Sequence, residues 1–213
     1  MEGNNTFTGG LRLADGNVLL GSSPLPTTGT TLQLGGSAVL QVSSATPDYS
    51  GIMTFDSTSS YLRISVPAGV TYTMASPITS QTGGILSKRG DGKLILNANF
   101  DFGGGATIYG GDLVIGTGGT SGRLNLSNSA FTFHNTGARY IYNRSADVTK
   151  THPFRVANSS ASGSIDNIGT GTLTLTGAID SGITVPTNPT NGAIVSSSSS
   201  NSGSGSSSGG TNA

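Results

Sequence analysis

The chain has 213 residues, of which 34 are glycine and only 9% are charged, against about 25% charged in an ordinary soluble domain. Ten basic and ten acidic side chains cancel to zero net charge, so no global field draws the chain to nucleic acid or to an anionic membrane surface. With no cysteine, a disulfide framework, thiolate metal sites and cysteine nucleophiles are all excluded.

The opening residues Met1, Glu2, Gly3, Asn4 and Asn5 have neither the basic start nor the apolar run of an export signal. An exported form therefore takes its signal from outside this chain. No later run approaches the roughly 18 consecutive apolar residues of a membrane-spanning helix, so no direct membrane span is expected. From Leu11 onward, apolar residues recur at every second position. The pairs and triplets are Leu11 and Leu13; Leu32 and Leu34; Leu62, Ile64 and Val66; and Leu94 and Leu96. Leu113 and Ile115, Leu124 and Leu126, Phe131 and Phe133, and Leu173 and Leu175 continue the series. Period two predicts strands, and the polar partners between these residues predict one dry and one wet face. Gly-Gly pairs at 9–10, 35–36, 83–84, 110–111 and 118–119 supply tight corners. No stretch of ten residues carries a helical apolar period free of Gly or Pro, so the reading is all-β.

Two themes each occur twice. Residues 5–21 and 99–116 both run from an aromatic through Gly-Gly to a strand, a glycine turn and a second strand. Residues 85–97 return in shortened form at 167–177. Units of this size bury their apolar faces only by stacking, which favours a β-solenoid over a closed sandwich. At about 20–25 residues per coil, the body makes about eight coils and a rod of about 35–40 Å. The expected organisation is a β-helix body over 1–182 and an extended Pro- and Asn-containing segment over 183–195. A flexible Ser/Gly linker or tail follows over 196–213, because such a composition cannot offset the entropy of ordering. A solenoid has open ends, so the expectation is a fragment whose β-helix continues in a longer parent chain.

Residues 84–116 resemble the autotransporter-associated β-strand repeat of Gram-negative passenger regions. The matching positions are Leu86, Lys88, Gly90, Gly92, Leu94, Leu96, Asn99, Phe100, Gly103, Gly104, Gly110, Gly111 and Leu113. Partial copies near 5–21 and 167–182 extend the likeness. The resemblance implies a right-handed parallel β-helix displayed extracellularly on the bacterial cell surface.

Chemistry is sparse. Glu occurs once, at Glu2, and the nine Asp residues mostly sit beside Gly, Asn or Ser, where aspartate forms turns through local backbone bonds. His134 and His152 lack metal-ligand spacing, and no pattern for a cofactor appears. Arg89-Gly90-Asp91 is the tripeptide of integrin ligands, but it falls where the repeat places a solvated turn, together with Lys88 and Lys93. The basic and aromatic segment 123–155 is the one candidate ligand face. Arg139, Tyr140, Tyr142, Arg144, Lys150 and Arg155 combine the rings and cations that suit glycans or acidic ligands, while the alternation in Arg139-Tyr140-Ile141-Tyr142 fits a strand whose aromatic side packs inside, so core or cap packing is the favoured reading. The expected function is a noncatalytic structural or adhesive segment of a larger secreted protein, with host or matrix glycans or proteins as partners. The alternative is a carbohydrate-active β-helix enzyme or glycan-binding module, for which paired carboxylates in one groove are required.

Overall fold

Every alternating run becomes a short strand, and each strand pairs in parallel with a counterpart in a neighbouring coil. The computed structural model describes residues 9–21, 25, 29–55, 61–78, 84–127, 129–186 and 192–196. Among them the one helical element is a 3₁₀ turn at Ser50–Ile52. The protein is a parallel β-solenoid.

The first sheet has seven strands: Asn17–Leu20, Val39–Val42, Tyr61–Ser65, Ile85–Arg89, Ala106–Ile108, Phe131–Phe133 and Phe154–Val156. The second has six: Thr71–Met74, Lys93–Leu96, Asp112–Ile115, Ala138–Tyr142, Gly163–Asn167 and Ile183–Thr184. The third wall comes in three separate pieces. These are Leu11–Leu13 with Leu32–Leu34 and Met53–Phe55, then Asn99–Asp101 with Arg123–Asn125, then Val148–Lys150 with Leu173–Leu175 and Ile194–Ser196. Seven ladder strands at about 4.8 Å spacing give a stack of about 30 Å, shorter than expected from an even repeat. The coils are uneven, advancing 19 residues from Lys93 to Asp112 and 27 from Asp112 to Arg139.

Register places like above like. Leu40, Ile64, Lys88, Ile108 and Phe133 form one inward column of the first sheet, and Leu62, Leu86, Ala106, Phe131 and Phe154 form another. In the second sheet Tyr72, Leu94, Leu113, Tyr140 and Ile165 stack, as do Met74, Leu96, Ile115, Tyr142 and Asn167. These columns merge into one dry spine, to which each fully buried aliphatic or aromatic residue contributes about 1.5–3 kcal/mol of burial.

The ladder runs beyond residue 182, the end of the body expected from composition. Ile183–Thr184 pairs with Gly163–Asn167, and Ile194–Ser196 pairs with Leu173–Leu175. Pro186 lies between these two strands, where its missing N–H removes no ladder bond. Residues 197–213, expected to form the tail, lie outside the described residues.

Corners are tight. Gly111 has φ +61°, and a Cβ there would strike the Gly92 carbonyl and come within 2.6 Å of the Lys88 ammonium, so only glycine fits. The corner aspartates link coils more than they form local turns. Asp15 accepts from the Ser37 N–H and hydroxyl, Asp48 from the Ala75 N–H, Asp147 from the Thr172 N–H and Asp180 from the Val156 N–H. Each bond crosses from one coil to the next. Local turn bonds are made as well: Asp48 accepts from the Ser50 N–H, and the Asp180 carbonyl accepts from the Ile183 N–H.

Candidate functional site

The six residues expected to form a ligand face do not share one. Tyr140 and Tyr142 point inward and are fully buried, and Lys150 is 5% exposed. Tyr140 sits edge-on to Phe131 and Phe154 at 5.0 and 5.5 Å between ring centroids, so the packing alternative is the correct one for its ring. The Tyr142 hydroxyl donates to the Ala146 carbonyl. Arg139 remains outside on the second sheet, where its fork grips Asp112 of the preceding coil through two bonds of 2.7 Å. Such a half-exposed bidentate pair is worth about 1 kcal/mol or less, and it neutralises the cation on the spot. Arg144 turns across the Tyr142 ring and donates to the Thr120 carbonyl. Arg155 is exposed on the first sheet, around a corner from Arg139. Alternation separates them: two residues adjacent in a strand face opposite sides.

The basic turn at 88–93 also differs from expectation. Lys88 is fully buried, in register between Ile64 and Ile108. Its ammonium donates to the carbonyls of Gly90, Gly92 and Gly110 at 2.5, 2.6 and 2.6 Å. Burial pushes it down to about 8, against the pull of Asp112 and Asp91. Arg89 lies 4.8 Å over the Tyr109 ring, which stacks on His134 of the next coil at 4.3 Å. The tripeptide Arg89-Gly90-Asp91 is thus part of a corner that hydrogen-bonds its own core lysine.

One place in the third wall departs from the regular ladder. Arg123–Asn125 and Val148–Lys150 belong to successive coils but to separate sheets. Between them lies a cleft of about 110 Å³ lined by Arg123, Asn125, Thr149, Lys150, Thr151 and His152, among others. The Lys150 ammonium donates to the Leu124 carbonyl, an acceptor that faces this break. His152, also 5% exposed, packs its ring 4.9 Å from Phe154, and its Nε2 has no partner among the described residues. Ser127, at the edge of the cleft, holds a left-handed backbone at φ +50°. Burial, then the charges of Arg123 and Arg144, push Lys150 down to about 8. Burial, then Lys150, push His152 down to about 4.

That shift has a sign. Unfolded His152 binds its proton near pH 6.5 and the folded ring only near 4, so between these values the unfolded chain holds more protons. Stability is therefore expected to fall as pH drops from about 6.5 toward 4, by up to about 3 kcal/mol, and the loss levels off below 4. Urea melts of the parent and of His152→Gln at pH 7 and pH 4.5 isolate the effect. The gap between the two proteins should narrow or reverse at the lower pH, and equal pH slopes would refute it.

The site and the architecture define a parallel β-solenoid repeat protein in which the inward Lys88, Lys150 and Asn167 bond its own backbone. Compared with protein-family models, with curated proteins and with solved structures, the chain matches none.

Proposed function

We propose that the chain is a noncatalytic structural or adhesive β-helix segment of a larger exported bacterial surface protein of the autotransporter kind. The observation that carries the reading is the corner built by Leu86, Lys88, Gly90 and Gly92. In the resembled repeat these residues form one motif, and here they form one physical unit. Lys88 caps the carbonyls of both motif glycines and of Gly110, the first glycine of the next coil's Gly-Gly pair. A motif whose lysine binds its own glycines and the next coil's is suited to stacking one coil on the next, which is what a rod requires. Further support comes from the aspartates at 15, 48, 112, 147 and 180, whose bonds to neighbouring coils give them structural work. Few charges and many hydroxyl and amide side chains suit a long-lived exterior scaffold.

Antibody raised against the purified chain is expected to label intact, unpermeabilised cells of the source organism. Labelling that appears only after the cells are lysed overturns the surface role.

A further inference from the structure

We propose that the cleft between Arg123–Asn125 and Val148–Lys150 binds one anionic oxygen group, the carboxylate or sulfate of an acidic sugar, held between the Lys150 ammonium and the His152 ring. The cleft is a property of the fold and exists whether or not the chain is displayed on a cell.

Among the described residues, two buried nitrogens meet there with unused hydrogen-bonding capacity. The Lys150 ammonium has three N–H groups, and the bond to the Leu124 carbonyl accounts for one. Standing in for a missing ladder bond explains that one contact and leaves the bare Nε2 of His152 unexplained. A buried polar nitrogen without a partner is costly, and with the ring proton on Nε2 an acceptor placed in the cleft relieves it. The other polar residues lining the cleft are the exposed Arg123, then Asn125, Ser127, Thr149 and Thr151, whose side chains carry the donors an anion's shell requires. Among the described residues no carboxylate lines the cleft. The charged groups reaching Lys150 are Arg123 from the preceding coil and Arg144 from the corner before its strand. The nearby Asp147 carboxylate is engaged by the Thr172 N–H.

Size sets the limit on what enters. A partly open cleft of about 110 Å³ accommodates a carboxylate or sulfate and leaves its sugar ring in solvent. Binding by charge-assisted bonds from both donors stabilises the protonated lysine and permits the histidine to protonate, reversing the downward push on each.

The test titrates the whole chain at pH 7 with sodium sulfate, and separately with sodium glucuronate, against sodium chloride at matched ionic strength. The His152 ring C–H is followed by NMR, and calorimetry serves the variants. A saturable shift with at least one of the two anions is expected, along with a raised His152 pKa in its presence. Lys150→Met and Arg123→Gln should each weaken binding about tenfold or more, the scale of one lost charge-assisted bond. Arg123 is exposed, so its variant keeps the test intact if Lys150→Met fails to fold. Saturation by sulfate alone assigns a sulfated ligand, and saturation by glucuronate alone assigns a carboxylated one. Shifts no larger than chloride's, or saturation unchanged in Arg123→Gln and in any folded Lys150 variant, overturn the site.

Discussion

Replacing Lys88 with Met is expected to lower the free energy of unfolding by about 2–6 kcal/mol, the cost of leaving two buried carbonyls without a donor at about 1–3 kcal/mol each. The count is two and not three because the Gly92 carbonyl keeps a second donor, the Asp112 N–H at 3.2 Å. Gly90 and Gly110 depend on the ammonium. Methionine fills nearly the same volume, so the change isolates the polar function from packing. An opposing term exists: the variant no longer desolvates a charge, and replacing a buried ion with an apolar group is sometimes neutral. That neutrality requires the partner groups to be replaced as well, and backbone carbonyls cannot be. In a solenoid the damage should stay local, since each coil contacts only its neighbours. Hydrogen exchange in the variant should therefore accelerate first at the amides of Tyr109 and Asp112, which donate to Lys88 and Gly92 of the coil below. Denaturant melts that superimpose on the parent would show that the three short contacts do not matter.

Much of this architecture could be read from parity alone. The paired leucines at 32 and 34, 94 and 96, 124 and 126, and 173 and 175 all face inward, as two-residue alternation requires. The same rule reaches further than composition suggested. Lys88 follows Leu86 by two residues, Asn167 follows Ile165 and Lys150 follows Val148, so each stands on the inward side of its strand. Reading Lys88 by type, as part of a solvated turn, hides what its position declares. Once inside, each must find backbone groups to satisfy. Asn167 donates to the carbonyls of Gly171 and Ala193 and accepts from the Gly169 N–H, tying the last described coil to the body. Near the other end, the Tyr49 hydroxyl accepts from the Leu25 N–H, and the hydroxyl of Tyr72, in the first strand of the second sheet, accepts from the Tyr49 N–H. What parity cannot supply is the register between coils. A step of 19 residues and a step of 27 look alike along the chain until the pairing is known. The break that opens the cleft beside Lys150 belongs to that unreadable layer, as does the sheet to which Arg155 falls.

Truncating Phe131 to Ala is expected to cost about 3–5 kcal/mol, because its ring joins two walls of the spine and no neighbour can move in to replace it. Phe131 stands in register on Ala106 below and under Phe154 above. Its ring centroid lies 5.2 Å from Phe133, 5.0 Å from Tyr140 and 5.3 Å from Phe154, so it contacts the first and second sheets at once. The column alternates in size at this point, the bulk of Phe131 filling what the small Ala106 leaves. Alanine at 131 would set two small residues in succession and open a cavity spanning two coils. Phe131→Leu, which retains most of the volume, should cost much less, while Tyr140→Phe gives a contrast from the same cluster. The Tyr140 hydroxyl is buried without a partner among the described residues, so deleting it should leave stability unchanged or raise it. The ranking Phe131→Ala far below Phe131→Leu, with Tyr140→Phe at or above the parent, is measurable by urea unfolding. Stacking also predicts where the loss is felt. Coils beyond the cavity, carrying Leu173 and Leu175, lose their anchorage to the first sheet and should exchange amide protons sooner than those carrying Leu62 and Leu86. A uniform rise in exchange along the whole spine would show instead that the solenoid opens as one unit, and the nearest-neighbour picture would have to be given up.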